Sequence, residues 1–190
     1  MKPEDKILEA ALEVVEENTI SGTRMHLIAE RAEMVQSNLH YYYKTKNDLM
    51  IALQSKVLKK CHEIRERYRY KVEDTLEAQL DVFIKRKREF ILNNKKYDYA
   101  EIDFWVQGRI NKEIQHAFAN SFAGWRKEIG DILDRYVTDM PKEKREYLPF
   151  AVVSLLEGAT IQYLIDEGNF QVDTYFDFCK AMILKEINEK

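Results

Sequence analysis

Cysteine, proline and glycine are all scarce in this chain of 190 residues, at two, three and six respectively. Cys61 and Cys179 have no paired spacing, which leaves no disulfide framework and fits a reduced, cytoplasmic setting. So little proline and glycine, beside 33% charged residues, is the composition of a helical protein. No apolar signal core opens the chain, and no uninterrupted apolar run looks long enough to span a bilayer, so neither a leader nor a membrane helix is expected. Catalytic hardware is missing as well. Cys61 and His62 are adjacent and diverge on a helix, and His26, His40 and His116 are scattered. Asp131 with Asp134 reads as a solvated helix pair. Metal-ligand spacing, a glycine-rich phosphate loop and a nucleophile motif are all absent from the pattern, so neither enzyme activity nor a cofactor is expected.

Hydrophobic residues make up 45% of the chain, enough for a real core. The net charge of −3 does not by itself indicate a nucleic-acid binder. Its distribution is uneven: residues 1–48 carry net −3, 49–96 net +6 and 97–190 net −6. Between Thr23 and Lys46 the balance turns to net +2, from Arg24, Arg31, Lys44 and Lys46 against Glu30 and Glu33. Any contact with DNA would rest on a few placed groups and not on a broad basic field.

Apolar residues recur at helical spacing throughout, without strand alternation or internal repeats, and predict an all-α chain of about nine helices. Pro3, Glu4 and Asp5 suit a first helical turn, and that helix ends near Asn18. A long helix is predicted from Lys46 or Asn47 to about Lys71, a rigid connector between two domains. Further helices are read over Glu73–Asn94, Asp98–Gln107, Asn111–Tyr136 and Met140–Gly168. Asp173 then caps a final helix carrying Phe176, Cys179, Met182, Ile183 and Ile187, and Pro149 either kinks the helix before it or marks that helix's true first turn.

The most informative stretch is TRMHLIAERAEMVQSNLHYYYKTKNDL, residues 23–49. Thr23 is placed to cap a helix bearing Met25, Ile28, Ala29 and Ala32 on one face. A break at Glu33–Val35 follows. A second short helix then turns Leu39, Tyr42 and Tyr43 inward and Gln36, Ser37, His40 and Tyr41 outward. Two short helices joined by a tight turn, with polar residues on the outer face of the second, describe a helix-turn-helix sized for the DNA major groove. An ordinary polar helix face has the same residues.

From Ile7 to Leu53 the chain resembles, without a gap, the N-terminal domain of TetR-family transcriptional regulators. The likeness lies in ILEAAL, Thr23, Ile28-Ala29, Leu39, the tyrosine-rich His40–Tyr43, and Lys44-Thr45-Lys46 before Asp48-Leu49. It implies a helix-turn-helix DNA-binding domain over 1–48 and a helical effector-binding and dimerisation domain over 49–190. By matching position, Thr23, Arg24 and Lys46 would meet phosphates, Gln36, Ser37, Asn38 and His40 would face bases, and Tyr41 either. Four positions depart from the family pattern. Glu33 and Thr19 stand where glycine is usual, Val35 replaces a small capping residue, and Gln36 replaces a lysine.

The same likeness implies a small-molecule effector pocket in the second domain, and aromatic residues supply candidate walls. The candidates are Phe83, Tyr99, Asp103, Phe104, Trp105, Phe122, Trp125 and Tyr163, most of which also suit a core. Trp105 and Tyr99 beside Asp103 would suit a cationic or aromatic ligand, and a hydrophobic ligand fits the set equally. The last two helices have wide apolar faces, with Val152, Leu156, Ala159, Tyr163, Phe176, Cys179 and Ile183, which the likeness assigns to a homodimer reading a palindromic operator. The expected function is a repressor released by a small molecule. The alternative is a helical small-molecule-binding or protein-interaction module with weakened or lost DNA binding.

Overall fold

The computed structural model describes residues 2–69 and 72–189. Among them are nine α-helices: α1 (Pro3–Gly22), α2 (Met25–Arg31), α3 (Gln36–Tyr42), α4 (Lys46–Arg69), α5 (Leu76–Asn93), α6 (Lys95–Gln107), α7 (Lys112–Tyr136), α8 (Lys142–Ile165) and α9 (Val172–Asn188). The expected end of α4 near Lys71 lies outside the described residues. The chain divides into two compact units, Met1–His62 with Asn94–Phe118, and Glu63–Asn93 with Ala119–Lys190.

In the first unit, Pro3 opens α1 and Glu4 and Asp5 complement its dipole. Its buried face, Ile7, Ala10, Ala11, Val14 and Val15, has the three-to-four spacing that packs a helix. The small Ala10 and Ala11 allow close approach, and α2 and α6 both pack against α1, with α3 on α2. Ile28, Leu39, Leu49 and Leu53 are fully buried, each worth about 1.5–3 kcal/mol of transfer energy. Glu9 draws Lys56 and Lys96 to 2.9 and 3.2 Å, tying α4 and α6 to α1. Asn111 caps α7, accepting from the Glu113 and Ile114 amides at 3.0 and 3.3 Å.

In the second unit α5, α8 and α9 pack together around Leu80, Phe83, Ile91, Val152, Leu156 and Phe176. Lys87 and Glu157 form a buried ion pair at 2.8 Å. α8 runs through Pro149, which is neither its first turn nor its start: Pro141 is the N-cap residue and Lys142 the first helical residue. Nor does Asp173 cap α9. Gln171 holds that place, and Asp173 lies in the first turn, bound by Arg88.

One expectation about α8 and α9 changes. α8 is long and apolar enough to cross a membrane by length and composition, but not as an uninterrupted apolar run. Its apolar run is interrupted only by Glu157, whose charge is buried against Lys87, and its inner side is core. The residues expected to exceed the needs of one bundle are also core: Val152, Leu156, Ala159, Phe176, Cys179 and Ile183 are buried. The apolar surface left over is a different row. Tyr147, Phe150, Ser154, Gly158, Ile161 and Ile165 recur every three or four residues along α8, with Phe178 and Met182 exposed on α9. A helix apolar on both sides offers one side to its own core and leaves the other largely exposed.

Candidate nucleic-acid interface

The interface is built on a kink. Thr19 lies at φ 59°, ψ 167°, a conformation that side chains rarely adopt, and it breaks the helical path of α1. The sequence pattern ended the helix beside it, at Asn18. Beyond the kink, Ile20 is buried and both its backbone groups are taken by side chains. Its N–H donates to Asp103 Oδ2 at 2.7 Å, and its carbonyl accepts from Lys46 Nζ at 2.6 Å. Thr23 closes the turn: its amide and hydroxyl donate to the Thr19 carbonyl at 3.1 and 2.7 Å.

This geometry removes Thr23 from the surface. It is 0% exposed, and the α2 N-cap is Arg24, without a side-chain cap bond. The hydroxyl assigned to a phosphate is therefore a structural group. Arg24 is exposed, its guanidinium held by the Ser21 and Thr23 carbonyls at 2.8 and 3.0 Å. Lys46 lies nearby. Partial burial and the Arg24 charge lower its pKa.

Between α2 and α3 the chain makes a Schellman turn. The Met34 amide donates to the Ala29 carbonyl and the Glu33 amide to that of Glu30, both at 2.9 Å. This motif needs a left-handed residue, and Glu33 supplies it at φ 52°. The Glu33 carboxylate bonds Lys6 at 2.8 Å, and that hydrogen bond and charge lower its pKa. Val35 is the α3 N-cap, with no side-chain cap bond and 64% exposure. The first amides of α3 are left to solvent or a ligand.

Along α3, Leu39 anchors the helix inward, and Gln36, Ser37, Asn38, His40 and Tyr41 are all exposed. Gln36 Nε2 lies 3.3 Å from His40 Nε2, and His40 Nδ1 lies 3.1 Å from the Lys44 carbonyl. A proton on Nδ1 satisfies both contacts, so this chain of bonds fixes two outward side chains before any partner arrives. Tyr41, 83% exposed, meets Tyr42 edge-on at 5.3 Å. Tyr42 is a correction: expected in the core, it is exposed, because α3 ends there and its periodicity stops with it. Tyr43 turns back half-buried, and burial, then Glu4 and Asp5, raise its pKa. Thr45 and Asp48 cap the start of α4 reciprocally, at 3.0 and 3.1 Å. Met34–Asn47 contains no carboxylate. Sequence reasoning missed Tyr42 and Val35 as surface groups; the seven-residue length of α3 was the available signal.

The eight candidate effector residues divide between the units. Tyr99, Asp103, Phe104 and Trp105 belong to the first. There Phe104 is fully buried, and both it and Trp105 pack on Phe118, at 6.3 and 6.5 Å between ring centres. Asp103 is engaged by the Ile20 amide, a bond across 83 residues of sequence that no local pattern reveals. Phe83, Phe122, Trp125 and Tyr163 belong to the second unit, in or against its core. The Arg86 guanidinium lies 5.0 Å from the Phe83 ring and 4.2 Å from that of Trp125. Tyr163 donates to Glu167 at 2.7 Å.

Three helices with a short, exposed and polar third helix form a helix-turn-helix. Residues 7–53 match the bacterial regulatory proteins of the tetR family. An HTH-type transcriptional regulator from Xanthobacter autotrophicus is 33% identical over 57 residues, a match covering 30% of this chain and 28% of that relative. A TetR transcription regulator from Haloarcula marismortui superposes with a TM-score of 0.80 at 16% identity, covering 98% of this chain and 96% of that one. A regulator from Rhodococcus sp. RHA1 gives 0.82 at 11%, covering 97% of each chain. A Saccharomonospora viridis protein described as a transcriptional regulator, in complex with choline, gives 0.80 at 16%, covering 98% and 96%. Residues 7–53 thus match that family, and nearly the whole chain shares the fold of these solved structures.

Proposed function

We propose that this chain is a ligand-responsive repressor that binds a palindromic operator as a homodimer in the cytoplasm and is released by a small molecule. The observation that carries this reading is the outer row of α3, five exposed hydrogen-bonding side chains in a segment without a carboxylate. Gln36, Ser37, Asn38 and His40 meet base edges, and Tyr41 a base or a phosphate. Arg24, Lys46 and the newly exposed Tyr42 hold the backbone. With so few cations, the salt dependence of binding should be shallow.

The largely exposed row on α8 and α9 supports the dimer. Ser154 and Gly158 lie at its centre, small enough for two α8 helices to approach closely, and the larger Tyr147, Phe150, Ile161 and Ile165 flank them. The candidate effector walls form two separate sets, Phe83, Phe122, Trp125 and Tyr163 in the second unit and Tyr99, Phe104 and Trp105 in the first. Asp103 leaves this set because the Ile20 amide engages it. Choline occupies the Saccharomonospora viridis regulator. Here Arg86 already covers the faces of Phe83 and Trp125, which favours a neutral or apolar effector at those rings. The effector acts only through different affinities for the DNA-bound and free arrangements.

Selection from random duplexes at physiological salt tests the reading. A palindrome should be enriched. Lys46→Ala should then weaken all sequences alike, whereas Gln36→Ala and His40→Ala should change preference at single positions. The uncapped Val35 supports a second reading, a ligand-binding protein with weakened DNA affinity. That reading gains if no palindrome emerges while ligands still raise the melting temperature.

A further inference from the structure

Within the first unit, a cleft of about 450 Å³ opens where the end of α1, the end of α6 and the starts of α4 and α7 meet. Its size falls within the range of about 300–1,000 Å³ usual for small-molecule sites. Its lining includes two lysines, Lys46 and Lys112, and no carboxylate. Each ammonium is held by a neutral oxygen, Lys46 by the Ile20 carbonyl at 2.6 Å and Lys112 by Gln115 Oε1 at 2.9 Å. Amide side chains share the lining. Asn47 accepts from Asn111 through Oδ1 at 2.8 Å, which leaves its own amide hydrogens as donors. The floor is apolar, formed by the buried Met50 and Ile114, and the rim carries the strongly exposed Ile110.

We infer that this cleft binds a small anionic amphiphile, a carboxylate carried on a short apolar chain. The headgroup sits between Lys46 and Lys112, where each ammonium exchanges a neutral acceptor for a charged one. The chain lies along Met50 and Ile114 and covers Ile110, which removes exposed apolar surface from water. The burial of Lys46 beside Arg24 lends support, since an anion offsets the repulsion between these two positive charges. The site is separate from the aromatic effector candidates. Because it neutralises the Lys46 charge, its occupant also competes with DNA; this last step alone rests on the reading of Lys46 as a phosphate contact.

Titration calorimetry of the full chain with octanoate tests the site. Octanoate should bind saturably, acetate and inorganic phosphate at least tenfold more weakly, and octylammonium not detectably. Lys112 is exposed, so Lys112→Met should fold normally, and it should weaken octanoate at least tenfold. Unchanged octanoate affinity in Lys112→Met overturns the site, and acetate or phosphate binding as well as octanoate overturns the amphiphile. In a second arm, octanoate should lower affinity for duplex DNA at low salt in the wild type, and at least tenfold less effectively in Lys112→Met. If octanoate binds but leaves DNA affinity unchanged, the competition is refuted. If no duplex binds at all, the regulator reading fails while the calorimetric result still decides the cleft.

Discussion

Replacing Thr19 with glycine should stabilise this protein. At φ 59°, ψ 167° the residue occupies a region that is nearly glycine-only, where other residues carry about 1–3 kcal/mol of strain. Its side chain is exposed and makes one long contact, accepting from the Gly22 amide at 3.4 Å, so removing it forfeits no buried area. Glycine brings an entropic cost of about 0.5–1 kcal/mol from the unfolded chain. The difference is a gain of about 1 kcal/mol, or roughly 2–4 °C in Tm for a chain of this size. Thermal unfolding followed by circular dichroism, with urea denaturation alongside, measures it. Thr19→Ala is the control, because it removes the hydroxyl and the branch but keeps the Cβ that meets the strain. If glycine stabilises no more than alanine, or lowers Tm, the backbone is not strained at Thr19 and the argument fails.

Gly158→Leu adds a side chain where a Cβ meets nothing within 4 Å, so the monomer fold should survive while the close approach of two α8 helices is blocked. Light scattering should then show a monomer at concentrations where the wild type is a dimer; an unchanged dimer places the interface elsewhere. Lys87→Met leaves Glu157 buried without its ion-pair partner and should cost about 3–5 kcal/mol in denaturant unfolding, with most of it recovered in Lys87→Met/Glu157→Leu. A single-variant loss below about 1 kcal/mol contradicts a tightly buried pair. Burial raises the Glu9 pKa, but the hydrogen bonds and charges of Lys56 and Lys96 outweigh it and hold the pKa below its ordinary value. The stabilisation is therefore full above the unfolded glutamate value of about 4.3 and is lost as pH falls through the lower folded value. Glu9→Gln should cost stability at neutral pH, a difference that closes below about pH 4 in Tm measurements across pH. A constant difference refutes the linkage.

The helices were legible because their causes are local, and the two strained turns through the family resemblance, which puts glycine at both positions. Glu33 and Thr19 stand where a left-handed residue is needed, and the structure places both at positive φ. Leu39 was readable as the inward anchor of α3 from its neighbours alone. Tyr42 was not, since helical spacing put it inward and only the end of α3 turns it out. Thr23 had the chemistry of a cap, but the kink four residues earlier claims its hydroxyl. The bond from the Ile20 amide to Asp103 was not readable because the two are distant in sequence. On α8, apolar residues occupy both sides, so the pattern could not say which side the core would take. That choice depends on α5 and α9.

Glu157 also bears on how this chain is made. α8 emerges from synthesis as an apolar segment with the length and hydropathy of a spanning helix, broken near its middle by one acid. A carboxylate at the centre of a candidate segment adds about 2.5–3.5 kcal/mol to the free energy of entering a bilayer. Lys87 lies on α5, which is synthesised earlier, so the counter-charge is waiting in the aqueous chain when the acid appears. The carboxylate thus biases the segment against entering a bilayer. Glu157→Leu with Lys87→Met would keep much of the folded stability and lose that bias, making the nascent helix a substrate for membrane insertion machinery.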